Sequence, residues 1–118
     1  MLALVVADDL LHRDSLRAML IALAAADTID AADCDNARGI LATIQPDLVL
    51  VDGSLPLDEV VCLIDEVSHR QPRTQSVVWR VEPVHRAALE SAGADFIILE
   101  GEPAERFFDQ MARWFAAE

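Results

Sequence analysis

Three aspartates follow apolar runs of the chain and are the residues best suited to chemistry. Asp8 and Asp9 come directly after the run LALVVA, and Asp52 ends the run DLVLVD. Two carboxylates repel each other by about 4 kcal/mol at 4 Å when the effective dielectric is near 20. A hard divalent cation such as Mg²⁺ removes that repulsion and binds oxygen ligands of this kind. A carboxylate beside such an ion can also attack a phosphoryl group, giving an aspartyl phosphate.

A simpler interpretation is that the three aspartates cap helices, since aspartate is among the preferred N-cap residues. That interpretation suffices for one aspartate. It explains less well an adjacent pair and a third aspartate that end two separate apolar runs. The elements that carry these residues therefore decide whether they form one site.

Four apolar runs are unbroken rather than alternating, which is typical of strands buried on both faces of a parallel sheet. A weaker fifth strand is predicted at TIDAA. The runs are LALVVA (2–7), TIDAA (28–32), DLVLVD (47–52), SVVW (76–79) and DFIIL (95–99).

The segments between these runs have helical spacing, with apolar residues recurring at intervals of three and four. A short helix is predicted over 83–92, ending at Gly93, which suits a left-handed cap. The last helix is predicted to begin near Pro103 and to carry Phe108, Met111 and Phe115 on one face.

Strands that alternate with helices predict parallel pairing, right-handed crossovers and helices on both faces of the sheet. The fold class is therefore α/β, a doubly wound five-stranded parallel sheet in a flavodoxin-like (βα)5 sandwich. With strand order 2-1-3-4-5, strands one and three are neighbours, and Asp8, Asp9 and Asp52 meet at their carboxyl ends. The length of 118 residues fits one domain, 1–118.

Composition excludes several classes of function. The formal charge of −12 disfavours direct binding to nucleic acid. No run is long enough to cross a membrane and no basic leader precedes the first run, so a cytoplasmic location is expected. Cys34 and Cys62 suggest neither a zinc site nor a disulfide framework, and are expected to be plain core or surface thiols. The histidines share no ligand spacing and are expected at the surface or at helix ends; they are His12, His69 and His85.

Three segments resemble the receiver domain of two-component response regulators, and the resemblance covers essentially the whole chain. They are VVADD, LVLVDGSLP and SAGADFIILEGEP. The resemblance implies that Asp52 accepts phosphate, that Asp9 binds Mg²⁺ directly and Asp8 through water, and that Asp52 and the carbonyl of Ser54 complete the metal ligands. It also implies a histidine kinase or other signalling protein as partner.

Three positions depart from the receiver pattern. Arg80 stands where the fourth strand should end in Ser or Thr, Glu100 replaces the lysine after the fifth strand, and Ile97 replaces an aromatic switch residue. Phosphoryl transfer depends on positive charge placed where negative charge accumulates, so these changes predict weak or uncoupled phosphorylation. Arg80 either pairs with Asp52 or leaves the pocket for Glu82 or solvent.

The last helix also carries Phe107 and Trp114, on a different side from the predicted core face. These two residues are predicted to form a partner face, with a homodimer through this helix as one outcome. The alternative is that one of them folds back over the sheet edge.

Other classes of protein fit the motifs less well. A haloacid dehalogenase-type phosphohydrolase needs a second aspartate where Ser54 stands, and a cobalamin-binding domain needs a different spacing between Asp9 and His12. A dinucleotide-binding domain needs a glycine-rich first turn, which is missing. An independent enzyme is therefore not predicted. The strongest alternative is a pseudo-receiver that binds neither metal nor phosphate and serves as a dimerisation or docking module.

Overall fold

Five parallel strands form one sheet in the order β2-β1-β3-β4-β5, as predicted from the sequence. The computed structural model describes residues 1–115. The strands are β1 Leu2–Val6, β2 Asp27–Ala31, β3 Leu48–Asp52, β4 Gln75–Val81 and β5 Phe96–Leu99. The strand β4 is longer at both ends than the predicted run 76–79. The reversal of strand order places β1 and β3 side by side at the centre.

Five helices connect the strands or follow the last one. They are α1 Leu10–Ala24, α2 Cys34–Leu41, α3 Leu57–Arg70, α4 Arg86–Ala92 and α5 Glu105–Phe115, with a 3₁₀ turn over Pro83–His85 before α4. Asp9 caps α1 by accepting a hydrogen bond from the Leu11 N–H at 3.0 Å. Gly93 ends α4 at φ +104°, the predicted left-handed cap. Within residues 1–115, no helix combines the length and apolar content that crossing a membrane requires.

Two hydrophobic cores lie on opposite faces of the sheet. Successive residues of the central strands point to opposite faces, so Val49 and Val51 of β3 join the core under α2, α3 and α4. Leu48 and Leu50 join the core under α1 and α5. This explains why the strands read as continuous apolar runs: both faces of the sheet are covered by helices.

The predicted partner face of α5 is wrong for Phe107, which is fully buried. Its ring packs edge to face against Trp79, with ring centroids 5.4 Å apart. Trp114 is half-buried and packs against Phe96 of β5. At roughly 100° per residue, these rings and the predicted core residues span only about a third of the helix circumference. One broad apolar face of α5 therefore covers the sheet, and Met111 lies at its middle.

Truncation of Phe107 tests this correction. Phe107→Ala is expected to lower the free energy of unfolding by about 3–5 kcal/mol, because it removes a buried ring and leaves a cavity. Urea denaturation measures the loss. Phe108→Ala, which shortens the neighbouring, partly exposed ring, serves as the matched control and is expected to cost less. A loss below about 0.5 kcal/mol for Phe107→Ala would indicate a surface residue.

The two cysteines are free thiols, as predicted: Cys34 is buried at the start of α2 and Cys62 is exposed on α3. Burial, followed by the Glu59 carboxylate, raises the pKa of the Cys34 thiol from its ordinary value of 9.0 to about 11. A thiol-specific reagent at pH 8 is expected to label Cys62 quickly and Cys34 only on unfolding, because the thiolate is the reactive form.

The raised pKa also predicts a pH dependence of stability. The folded state holds the Cys34 proton more tightly than the unfolded chain, so the contribution of this thiol is complete below pH 9 and is lost as the pH rises toward 11. Denaturation of wild type and Cys34→Ala across that range measures it. The variant should show the smaller decline, and an equal decline would contradict the assignment.

Candidate functional site

Asp52 is a buried carboxylate at the carboxyl end of the central strand β3, with 3% of its surface exposed. Burying a charge is costly unless hydrogen bonds replace water. Ser54 supplies two of them: its backbone N–H donates to Oδ1 at 3.1 Å, and its hydroxyl donates to Oδ2 at 2.8 Å. The turn that follows β3 thus holds the Asp52 carboxylate in place.

Gly53 allows the ends of β3 and β4 to approach closely. Its N–H donates to the Trp79 carbonyl at 2.6 Å. A Cβ atom at position 53 would lie 2.9 Å from the carbonyl oxygens of both Trp79 and Arg80. Only glycine fits without a shift of the backbone, so this residue sets the position of Asp52 relative to β4.

The structure brings the predicted acidic residues to one cleft. A cleft of about 440 Å³ is lined by Asp8, Asp9, His12, Asp52, Ser54, Arg80 and Glu100. Asp8 and Asp9 are exposed at the mouth, and Asp52 lies at the base. Asp9 also caps α1, so this residue both caps a helix and lines the cleft.

The donor set of the cleft fits Mg²⁺ in type, since carboxylate oxygens from β1 and β3 line the same space. Within residues 1–115, no three His, Cys, Asp or Glu side chains lie close enough together to hold an ion. Mg²⁺ commonly keeps several waters and takes only one or two carboxylates from the protein. The cleft therefore offers oxygen ligands of the type that Mg²⁺ takes, without a preformed cage among the described residues.

His12 lies in the first turn of α1, at a helix end as expected, but its place in the cleft was not predicted from the sequence. Its Nε2 lies 3.5 Å from Asp52 Oδ2, within ion-pair range. The contact does not meet hydrogen-bond geometry, and Nε2 is shielded from solvent without a hydrogen-bond partner in residues 1–115. The available signal was spacing: His12 follows Asp9 by three residues, which places it on the same face of the first turn of α1.

The sequence left two positions open for the Arg80 side chain, paired with Asp52 or turned outward, and the structure shows the outward one. It lines the mouth of the cleft but is exposed, and within residues 1–115 no carboxylate lies within 4.0 Å of its guanidinium. Its φ of +62° is left-handed, and the pairing of β4 with β5 shifts register between Val78 and Val81. This bulge turns the Arg80 side chain away from the base of the cleft.

The other two substituted positions differ in environment. Ile97 is half-buried and packs against the core under α2, α3 and α4, with no contact to the cleft. Glu100 is exposed and lines the cleft, and its backbone N–H donates to the Val81 carbonyl at 2.9 Å. The cleft thus holds four carboxylate side chains and no lysine.

Solved structures with the same fold are receiver domains. The receiver domain of a sensor histidine kinase from Pseudomonas aeruginosa, with a magnesium ion in its active-site cleft, gives a TM-score of 0.81 at 18% identity over 98% of both chains. The chain has the receiver-domain fold. A putative response regulator from Chloroflexus aurantiacus gives 0.81 at 18% identity over 98% of both chains.

A chemotaxis response regulator of Vibrio cholerae gives a TM-score of 0.78 at 19% identity, over 96% of this chain and 97% of that one. No protein-family model and no curated protein matches the sequence. At these identities the similarity establishes the receiver fold alone. The chemistry must be argued from the cleft.

The close approach at Gly53 gives a testable prediction for the receiver fold. Gly53→Ala is expected to lower the free energy of unfolding by about 1–3 kcal/mol, because the added methyl group meets rigid backbone carbonyls. Gly39→Ala is the matched control: Gly39 lies within α2 with open space around it, and alanine there is expected to add about 0.5–1 kcal/mol. Urea denaturation measures both, and equal effects would contradict this account.

Proposed function

We propose that this chain is an atypical receiver domain of two-component signal transduction in which Asp52 is the phosphoacceptor. Its phosphorylation is weak or uncoupled from switching, and the domain acts mainly through protein contacts. The observation that supports this most directly is the buried Asp52 carboxylate, held at the base of an acidic cleft beside the unpartnered Nε2 of His12. The partner is a histidine kinase or another signalling protein.

Phosphorylation at Asp52 would proceed by nucleophilic attack of a carboxylate oxygen on phosphorus. An O–P bond forms, the bond to the leaving group breaks, and the leaving group departs with that electron pair. Ser54 holds the carboxylate, since its N–H and hydroxyl each donate to one oxygen. The phosphoryl oxygens would also supply the acceptor that the buried His12 Nε2 lacks.

The charge of the cleft explains why this reaction would be weak. Negative charge develops on the phosphoryl oxygens, and catalysis requires positive charge near them. Glu100 places a carboxylate where the receiver pattern has lysine, and Arg80 points its guanidinium outward. Bound Mg²⁺ would neutralise part of this negative charge; Asp8, Asp9, Asp52 and the Ser54 carbonyl would hold it.

Uncoupling follows from the residues that would respond to the phosphoryl group. No serine or threonine hydroxyl is available at Arg80, and Ile97 is packed in the core without an aromatic ring to move. A phosphoryl group on Asp52 therefore has no side-chain hydroxyl whose movement toward it could change the conformation. Contacts with other proteins, including a second copy through the last helix, remain as the means of action.

A pseudo-receiver that binds neither metal nor phosphate is the second candidate. The observation that favours it is the absence, within residues 1–115, of three potential ligand side chains close enough to share an ion. Glu100 adds a fourth carboxylate to the same cleft, which raises the cost of bringing in an anionic phosphoryl group.

Phosphorylation by acetyl phosphate and Mg²⁺ distinguishes the two candidates. Intact-mass spectrometry is expected to show a substoichiometric phosphoryl adduct on the wild type and none on Asp52→Asn. The series Glu100→Gln and Glu100→Lys is expected to raise the initial rate stepwise, by roughly tenfold or more for lysine, because each step adds one unit of positive charge beside the phosphoryl oxygens.

Glu90→Lys is the control for the change in net charge, because Glu90 is exposed on α4 and pairs with Arg86 outside the cleft. It should leave the rate unchanged. A stoichiometric, stable adduct on the wild type would show that phosphorylation is not weak. No adduct on any variant, Glu100→Lys included, would favour the pseudo-receiver.

A further inference from the structure

The imidazole of His12 meets the Asp52 carboxylate at the base of the cleft without forming a hydrogen bond. Its Nε2 lies 3.5 Å from Asp52 Oδ2 and has no hydrogen-bond partner within residues 1–115. A buried polar atom left unsatisfied is unfavourable. The His12 side chain keeps 20% of its surface exposed and lines the cleft, so a ligand that enters the cleft can satisfy this nitrogen. With the ring proton on Nδ1, Nε2 offers a lone pair to a cation.

The spacing of the two atoms distinguishes between kinds of cation. A tetrahedral Zn²⁺ binds nitrogen and oxygen at about 2.0–2.2 Å, so two of its ligand atoms lie about 3.3–3.5 Å apart. An octahedral Mg²⁺ binds oxygen at about 2.0–2.1 Å, so its neighbouring ligand atoms lie only about 2.8–3.0 Å apart. The 3.5 Å between Nε2 and Oδ2 matches two corners of the tetrahedral ion. Imidazole nitrogen is also a ligand that Zn²⁺ favours and Mg²⁺ does not.

Both side chains are held in place by other residues. Ser54 donates its N–H and its hydroxyl to the two oxygens of Asp52. The first turn of α1, which carries His12, is tied to the end of β1 because the Arg13 guanidinium donates to the Ala7 carbonyl at 2.7 Å. Ligands that are oriented by hydrogen bonds of their own bind metal ions more tightly.

The rest of the cleft attracts cations. Asp8, Asp9 and Glu100 line it, whereas the Arg80 guanidinium is turned outward. Clefts lined by one sign of charge raise the local concentration of the opposite ion. Within residues 1–115, no third histidine, cysteine, aspartate or glutamate side chain lies close enough to complete a three-ligand site. Water would therefore complete the four positions, and binding depends on both protein ligands.

We propose that His12 Nε2 and Asp52 Oδ2 form a binding site for a tetrahedral divalent transition metal of the Zn²⁺ type. The site differs from the implied magnesium site, whose protein ligands are all oxygens, because it depends on a nitrogen from α1. It goes beyond the proposed function, since it holds whether or not Asp52 accepts phosphate.

Titration of the untagged protein with Co²⁺, a coloured substitute for Zn²⁺, tests the site without phosphodonor. The wild type is expected to show the strong visible absorption of tetrahedral Co²⁺ and to bind Zn²⁺ more tightly than Mg²⁺ in calorimetry. His12→Gln is expected to lose the absorption and to weaken Zn²⁺ binding by at least about tenfold, because it removes the nitrogen ligand. Mg²⁺ binding should change by less than about twofold, because Mg²⁺ takes oxygen ligands. Asp52→Asn should weaken the binding of both ions.

His69→Gln is the matched control. His69 Nδ1 lies 3.4 Å from a carboxylate oxygen of Asp65, nearly the same spacing. This nitrogen is already hydrogen-bonded to the Asp65 carbonyl at 2.8 Å, and the pair is exposed on α3 outside the cleft. The control should keep the Co²⁺ absorption and the Zn²⁺ affinity. Thermal unfolding without metal shows whether each variant is folded. In the wild type, the imidazole proton resonances of His12 should show the large paramagnetic shifts of a Co²⁺ ligand, which tests the site without any substitution.

The contrary outcomes are equally specific. Equal affinity of the wild type for Zn²⁺ and Mg²⁺, unshifted His12 resonances, or equal losses in His12→Gln and His69→Gln would each overturn the site. Co²⁺ bound through His12 in a protein that never forms a phosphoryl adduct would leave the site standing and remove the phosphorylation chemistry. An adduct at Asp52 in a protein that binds no Co²⁺ would do the reverse.

Discussion

The burial of the Asp52 carboxylate is the constraint on which the carboxyl end of the sheet depends. An unpaired buried charge costs several kcal/mol, so β3 can end in aspartate only if the next residues supply donors. Ser54 does so with its N–H and its hydroxyl. Gly53 keeps that turn against β4, and β4 then bulges at Arg80, whose left-handed backbone costs about 1–2 kcal/mol. One buried carboxylate is thus linked to the end of β3, the turn that follows it and the neighbouring end of β4.

The bulge also keeps Arg80 apart from His12, the other basic side chain of the cleft. His12 is carried inward by the first turn of α1 and lies beside Asp52, whereas Arg80 is carried outward to solvent. A guanidinium at the base would have satisfied Asp52 permanently by fork-like hydrogen bonds and blocked access to it. Its outward position leaves an oxygen of Asp52 facing a cleft that still contains Glu100. The buried carboxylate and the exposed carboxylates that repel it therefore share one cleft.

Most of the fold was predictable because it depends on local patterns. Unbroken apolar runs indicate strands buried on both faces, and the alternation with helices then limits the topology to very few arrangements. The meeting of Asp8, Asp9 and Asp52 followed from strand order alone. His12 and Phe107 were missed for a shared reason: each is defined by what another element brings near it. The inward direction of His12 depends on the turn after β3, and the burial of Phe107 depends on Trp79 of β4, the strand next to the edge strand β5. The spacing of apolar residues along one helix cannot show which other elements pack against it, so it predicts neither position.

The helix α1 joins the two ends of the molecule. Asp9 caps its start in the acidic cleft, and Leu23 lies near its end, roughly 21 Å away at 1.5 Å per residue. A ligand shifts an equilibrium only by its differential affinity for two states, so binding in the cleft can influence the far end of α1 only if this helix has two positions. Leu16 and Leu20 are packed in the core between those ends, so any shift of α1 must move them against close-packed neighbours.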